Sequence, residues 1–113
     1  MLEAVWVLSN STNHGSKDVI ALLIKNEILR LFSSSIDSQD DICVEISLEG
    51  IHNILVCGKE NFVNEDDENL LLIEFENQGC LPKVEKLQKH RNHDIYLKAM
   101  KILEGFYDLD TAL

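Results

Sequence analysis

One pattern governs what this chain can become: two short apolar segments followed by a longer one, all at helical spacing, met once in full and then again. Val19, Ile20, Leu22, Leu23 and Ile24 form the first short segment. Ser16 is its candidate N-cap and Asp18 lies in its first turn. Asn26 is the expected left-handed stop, because Asn tolerates positive φ. Ile28, Leu29, Leu31 and Phe32 form the second segment, and Ser33 to Asp37 is a polar break. A longer helix is predicted from about Gln39 to Cys57, with Ile42, Cys43, Ile46, Leu48, Ile51, Ile54 and Leu55 on its apolar positions. A linker from Gly58 to about Glu68 follows. The pattern then returns with Leu70 to Ile73 and Phe75, next Leu81, Val84 and Leu87 with Pro82 tolerated in a first turn, and last Ile95 to Tyr107. Ahead of it all, Leu2, Ala4, Val5 and Leu8 recur at helical spacing with no capping residue before them.

The repetition can be written as alignments. Asn10 placed over Asn53 sets Val5 on Leu48, Leu8 on Ile51 and Trp6 on Glu49. Asn26 placed over Gly79 sets Ile28 on Leu81 and Leu31 on Val84. Repeats of roughly 40–47 residues with two or three helices are the armadillo and HEAT class, and a short, a second and a longer third helix favours armadillo. The expected fold is therefore all-α, an armadillo-repeat superhelix of about two and a third repeats. Its divisions are a third helix over 1–13, a complete repeat over 14–57, an acidic linker over 58–66, a terminal repeat over 67–107 and a tail over 108–113. An ordinary helical bundle is the competing reading. The solenoid also accounts for the uncapped start and the bare Trp6, and it implies a fragment of a longer array, since a solenoid end needs a neighbour or a polar cap.

One proline and five glycines suit long helices rather than many turns. The formal charge is −10, from 20 acidic against 10 basic residues, which repels phosphate backbones and argues against nucleic-acid binding. Such acidity suits basic partners, or it serves only to keep the chain soluble. Cys43, Cys57 and Cys80 form no C-x-x-C and read as small buried residues of a reduced protein. No apolar run approaches the roughly 20 residues that span a bilayer. Met1 to Asn10 has no basic stretch of a secretory signal. No membrane contact and a nuclear or cytoplasmic home follow as expectations.

The residues also carry a resemblance. Glu3-Ala4-Val5-Trp6-Val7-Leu8-Ser9-Asn10-Ser11-Thr12 resembles the third-helix motif of the importin-α family, in which E-A-x-W-x-x-x-N recurs along the array. Gly50-Ile51-His52-Asn53-Ile54-Leu55 is similar to the third helix of its ninth repeat. Cys80-Leu81-Pro82-Lys83-Val84-Glu85-Lys86-Leu87-Gln88, followed by Ile95-Tyr96-x-Lys98-Ala99, is similar to its tenth and last repeat. The resemblance covers nearly the whole chain and implies the end of repeat eight followed by repeats nine and ten. It implies a nuclear import adapter, not an enzyme, without cofactor or metal, shuttling between cytoplasm and nucleus. Basic nuclear-localisation-signal peptides of cargo proteins and the export receptor of the family are its implied partners. Importin-β would be met only through an N-terminal arm absent from this sequence.

The chemistry of the motif suits peptide binding. An extended peptide in a groove offers unpaired N–H and C=O groups, and an Asn amide supplies both a donor and an acceptor to clamp them. Trp6, at i−4 from Asn10, stands on the same face, where its ring can cover a peptide Lys or Arg and attract the charge, a contact worth about 0.5–2 kcal/mol. Glu3, about one turn before Trp6, can take the charged end. A lone helical Trp is more often core, but the Asn at i+4 and Glu at i−3 oppose that. By resemblance, Glu3, Trp6 and Asn10 belong to the minor signal-binding site.

The ladder fades along the chain. Glu49 stands in the Trp position beside Asn53, with Glu45 one turn before, so Glu45, Glu49 and Asn53 are expected to act on a basic peptide electrostatically. Lys101 and Gly105 hold the last Trp and Asn positions, where regular peptide reading is expected to stop. Glu65, Asp66, Asp67 and Glu68 are a candidate export-receptor surface by resemblance, and otherwise a solvated acidic loop. His90, His93 and Asp94 make only a weak metal pattern in a polar break, Glu74 and Glu76 are expected to solvate an outer helix face, and His52 is expected to be exposed. The rival readings are another armadillo or HEAT scaffold and a small helical enzyme.

Overall fold

The computed structural model describes residues 2–14 and 17–107, with the side chains of 2–5 and 13–14 outside the described set. The helices are α1 (Leu2–His14), α2 (Lys17–Lys25), α3 (Ile28–Ser35), α4 (Asp41–Asn61), α5 (Leu70–Asn77), α6 (Cys80–Lys86) and α7 (His93–Phe106), with one 3₁₀ turn over Leu87–Lys89. No strand is present among the described residues, where Val63 and Asn69 form an isolated antiparallel bridge. The short, short, long order therefore occurs as α2-α3-α4 and as α5-α6-α7. The long helices lie side by side: α4 packs against α1 on one flank and α7 on the other. This is the arrangement of an armadillo solenoid, in which successive third helices line one surface.

The core runs beneath that layer. Phe32, Leu48, Ile51, Ile54, Leu55, Phe75, Ile95 and Ile102 are all fully buried. Close approach of α3 to α4 depends on Gly50, where a Cβ would lie 2.5 Å from Cζ of the Phe32 ring and 3.3 Å from Ser9 Oγ of α1. Buried hydroxyls satisfy themselves locally: Ser47 Oγ bonds Cys43 O at 2.8 Å and meets Ser35 Oγ at 2.5 Å. Lys83 of α6 donates to Ser33 O at 2.8 Å and pairs with Asp37 at 2.7 Å, joining the two second helices at the C-terminal end of α3.

Four details depart from the sequence expectation. The left-handed residue after α2 is Glu27 (φ 64°), not Asn26. Asn26 continues the turn, and its amide donates to Leu22 O at 2.8 Å. Gly79 (φ 76°) is the matching residue before α6, so the second helices align Ile28 with Cys80 and Phe32 with Val84, one step from the expected pairing. Helix α4 runs to Asn61, past Cys57. Gly58 is a packing glycine inside it, because a Cβ there would strike the Asn69 side chain. Asn69 in turn donates to Leu55 O at 2.9 Å while accepting the amides of Leu71 and Leu72 to cap α5. The span 62–69 is thus an organised turn: Leu70 N bonds Phe62 O at 2.8 Å, and Asn64 Oδ1 accepts the amides of Asp66 and Glu68. Cys43 and Cys80 are buried, as expected, but Cys57 is only half-buried, facing Asn61.

Candidate functional site

The exposed edges of α1, α4 and α7 enclose a cleft of about 570 Å³. Asn10 lines it from α1, Glu49, His52 and Asn53 from α4, and Asp94, Leu97, Lys98 and Lys101 from α7. The i, i+4 spacing of Glu49 and Asn53 sets both on one helical face, and Leu97 and Lys101 repeat that relation on α7.

Trp6 stands one turn before Asn10 on α1 and is 54% exposed, which excludes a role as core packing. It does not line the cleft itself. Asn10 is exposed at the cleft wall, and its side chain has no hydrogen-bond partner among the described residues. The Glu3 side chain lies outside the described residues. Asn53 differs from Asn10. Thr12 Oγ1 donates to Ser9 O, and so it accepts from Asn53 Nδ2 at 3.2 Å. One N–H of that amide is occupied by α1, and its oxygen faces away from Thr12 with both lone pairs unused among the described residues.

The acidic pair faces a lysine of the chain itself. Lys98 Nζ of α7 lies 3.4 Å from Glu45 Oε1 and 4.0 Å from Glu49 Oε1. Glu45 and Glu49 are thus already engaged from within the chain, and Lys98 is a cleft residue that the sequence reading passed over. Its signal was there: Lys98 and Lys101 are spaced i, i+3, so both had to share a face of α7. Lys101 forms no ion pair among the described residues and stands beside His52. His52 is half-buried, not exposed, because its ring meets the edge of Phe106 at 6.0 Å. Burial, and then the charge of Lys101, lower its pKa, so the imidazole is neutral near pH 7.

Glu65, Asp66, Asp67 and Glu68 are all exposed and do not line the cleft; they lie on the turn after α4 that Asn64 organises. Asp67 there has φ 61°. The other sequence candidates disperse. His90 faces Asp41 at 3.8 Å, His93 stacks on Tyr96 at 5.8 Å, and among the described residues no three His, Cys, Asp or Glu side chains converge. Glu74 and Glu76 do more than solvate a face: Gln78 donates to Glu74 at 2.7 Å, and the Tyr107 hydroxyl donates to Glu76 at 2.8 Å, fastening the end of α7 to α5. Burial and that bond push the Tyr107 hydroxyl pKa upward. Burial also pushes the Cys80 thiol up to about 11, so it stays protonated and unreactive. No described helix is long and apolar enough to cross a membrane.

Known proteins bear on this geometry. Residues 69–112 match the family described as an atypical Arm repeat. The chain is 33% identical over 104 residues to importin subunit alpha-5 of Arabidopsis thaliana, covering 92% of this chain and 20% of that protein. It is 41% identical over 73 residues to importin subunit alpha-6 of the same plant, covering 63% and 14%. Importin subunit alpha-3 of Caenorhabditis elegans is 34% identical over 96 residues, covering 85% and 18%. The chain spans about a fifth of the length of the curated relatives it matches.

Proposed function

Because this chain belongs to the importin-α family of armadillo-repeat nuclear import adapters, a family of non-enzymatic proteins, and corresponds to its C-terminal part, we propose that it binds basic nuclear-localisation-signal peptides along α1. Trp6 would stack on the aliphatic stem and charge of a peptide Lys or Arg. Asn10 would clamp the peptide backbone, and Glu3 would take the charged end. The observation that carries this reading is Trp6, half exposed on a helix one turn from an Asn whose amide has no partner among the described residues. An exposed indole leaves apolar surface in water, and the solvated Asn10 amide has both a donor and an acceptor to offer, so a bound peptide can cover the first and pair with the second. The net charge of −10 draws basic ligands toward the surface.

Asn53, whose side-chain oxygen has no partner among the described residues, is a second backbone contact in the same reading. The exposed Glu65 to Glu68 turn is the proposed contact for the family's export receptor, being acidic, ordered and outside the cleft. The chain would then serve on both sides of the nuclear envelope. The test is fluorescence anisotropy of a labelled basic monopartite signal peptide against the 113-residue chain, with a Lys-to-Glu version of the peptide as control. Binding that falls when salt rises, and that is lost with Trp6→Ala and Asn10→Ala together, supports the reading. Binding untouched by that double change would return the chain to a general armadillo scaffold.

A further inference from the structure

We propose that Lys98 is a built-in competitor of the basic ligand, and that it sets where peptide reading stops in the cleft. This rests on the peptide-binding reading above and adds a specificity-determining residue to it. The substitution of Trp6 by Glu49 at the matching position removes an aromatic platform, but it supplies a carboxylate, and Glu45 supplies another one turn earlier. Two carboxylates at i, i+4 beside an Asn make a good receptor for a Lys side chain. In this chain a Lys is already there. The Lys98 ammonium lies 3.4 Å from Glu45 and 4.0 Å from Glu49, and it is about a third exposed.

The competition is unequal by construction of the fold. Lys98 is held by α7, and α7 packs along α4, so its ammonium faces the two carboxylates at an effective concentration on the order of millimolar or above. A free peptide rarely reaches that. Of the other groups around Lys98, Lys101 adds a second cation to the same wall and His52 is neutral, which reinforce the limit, while Asp94 is an acid from α7 that works against it. A basic side chain that passes Asn10 therefore meets carboxylates that already face Lys98, and a Lys101 with no ion pair among the described residues, so it gains less there than at an open acidic pair.

The experiment is a double-mutant cycle with the labelled basic peptide and the full 113-residue chain. Lys98→Met keeps the aliphatic stem against α4 and removes the charge. It is expected to raise affinity about 2- to 5-fold, the scale of a partly exposed ion pair made available to the ligand. Glu45→Gln with Glu49→Gln should change affinity by less than about 2-fold in the unaltered chain, since Lys98 already occupies the pair. The same two changes should abolish the gain in the Lys98→Met background. Lys98→Arg should behave as the unaltered chain, which guards against a Met variant that folds poorly. Unchanged affinity in Lys98→Met, or a gain that survives loss of both carboxylates, overturns the competitor. Peptide binding that depends on Trp6 and Asn10 but ignores Lys98 overturns the competitor alone. No binding by either the unaltered chain or Lys98→Met overturns both readings.

Discussion

The two flanks of the cleft are built from equivalent helices and have opposite chemical states. On the α1 flank, Trp6 is half exposed and Asn10 has no side-chain partner among the described residues. On the α7 flank, Lys98 faces Glu45 at 3.4 Å and Glu49 at 4.0 Å. Asn53 stands between them in both senses, one N–H bound to Thr12 and its oxygen unused among the described residues. The contrast teaches that a groove face is not a site wherever the repeat recurs. A position is open to a ligand only where the chain has not already satisfied its polar groups.

The largest expected effect breaks the open flank. Trp6→Ala with Asn10→Ala should cost about 1.5–3 kcal/mol of peptide binding, from one cation–π contact and the lost backbone bonds, read by calorimetric titration as a roughly 10- to 150-fold weaker Kd. Their fold should survive, because neither side chain is buried. Next, Gly50→Ala should destabilise the chain by about 1–3 kcal/mol, since the new Cβ overpacks the Phe32 ring where α1, α3 and α4 meet. A urea melt followed by circular dichroism measures this, and an unchanged midpoint would show that α3 can withdraw without loss. Thr12→Val should be smaller, about 1 kcal/mol, and it should free the Asn53 amide. If Asn53 then joins the peptide, binding tightens while stability falls, which sharpens the halfway character of that residue.

The smallest effect concerns protonation on the closed flank. The His52 pKa is depressed, so between the folded and unfolded values the unfolded chain holds more protons. Stability from this group is therefore complete above the ordinary imidazole range and declines as pH falls through it, levelling once the folded imidazole is also protonated. Lys101→Met removes the lesser of the two causes, so the His52 resonance followed by NMR should titrate at higher pH than in the unaltered chain. It should stay below the ordinary value, because burial against Phe106 remains.

Much of the fold could be read from the apolar spacing. Ile51, Ile54 and Leu55 recur at the period of a buried helical stripe, and the structure buries each of them. The helix order short, short, long followed from the same spacing. What spacing could not reach were places where one element touches another. Gly58 reads as a helix breaker by composition, yet α4 continues through it, because the Asn69 side chain lying across the helix requires a glycine there. The stop after α2 was misjudged by one residue, since Asn26 serves through its side chain and leaves the left-handed conformation to Glu27.

The candidate site divides the same way. That Trp6 and Asn10 share a face is a property of one helix, and one sequence period suffices for it. The family likeness, too, is carried by strings local in sequence. The pairing of Lys98 with Glu45 and Glu49 joins residues about fifty positions apart and depends on how α7 lies along α4. Local periodicity states which side chains point outward together, because that is set by backbone geometry within a helix. It is silent on which outward side chains meet, because that is set by packing between helices. The sequence by itself thus determined an outward-facing ladder in an armadillo array, and only the tertiary structure decided which of its rungs meet a partner from a neighbouring helix.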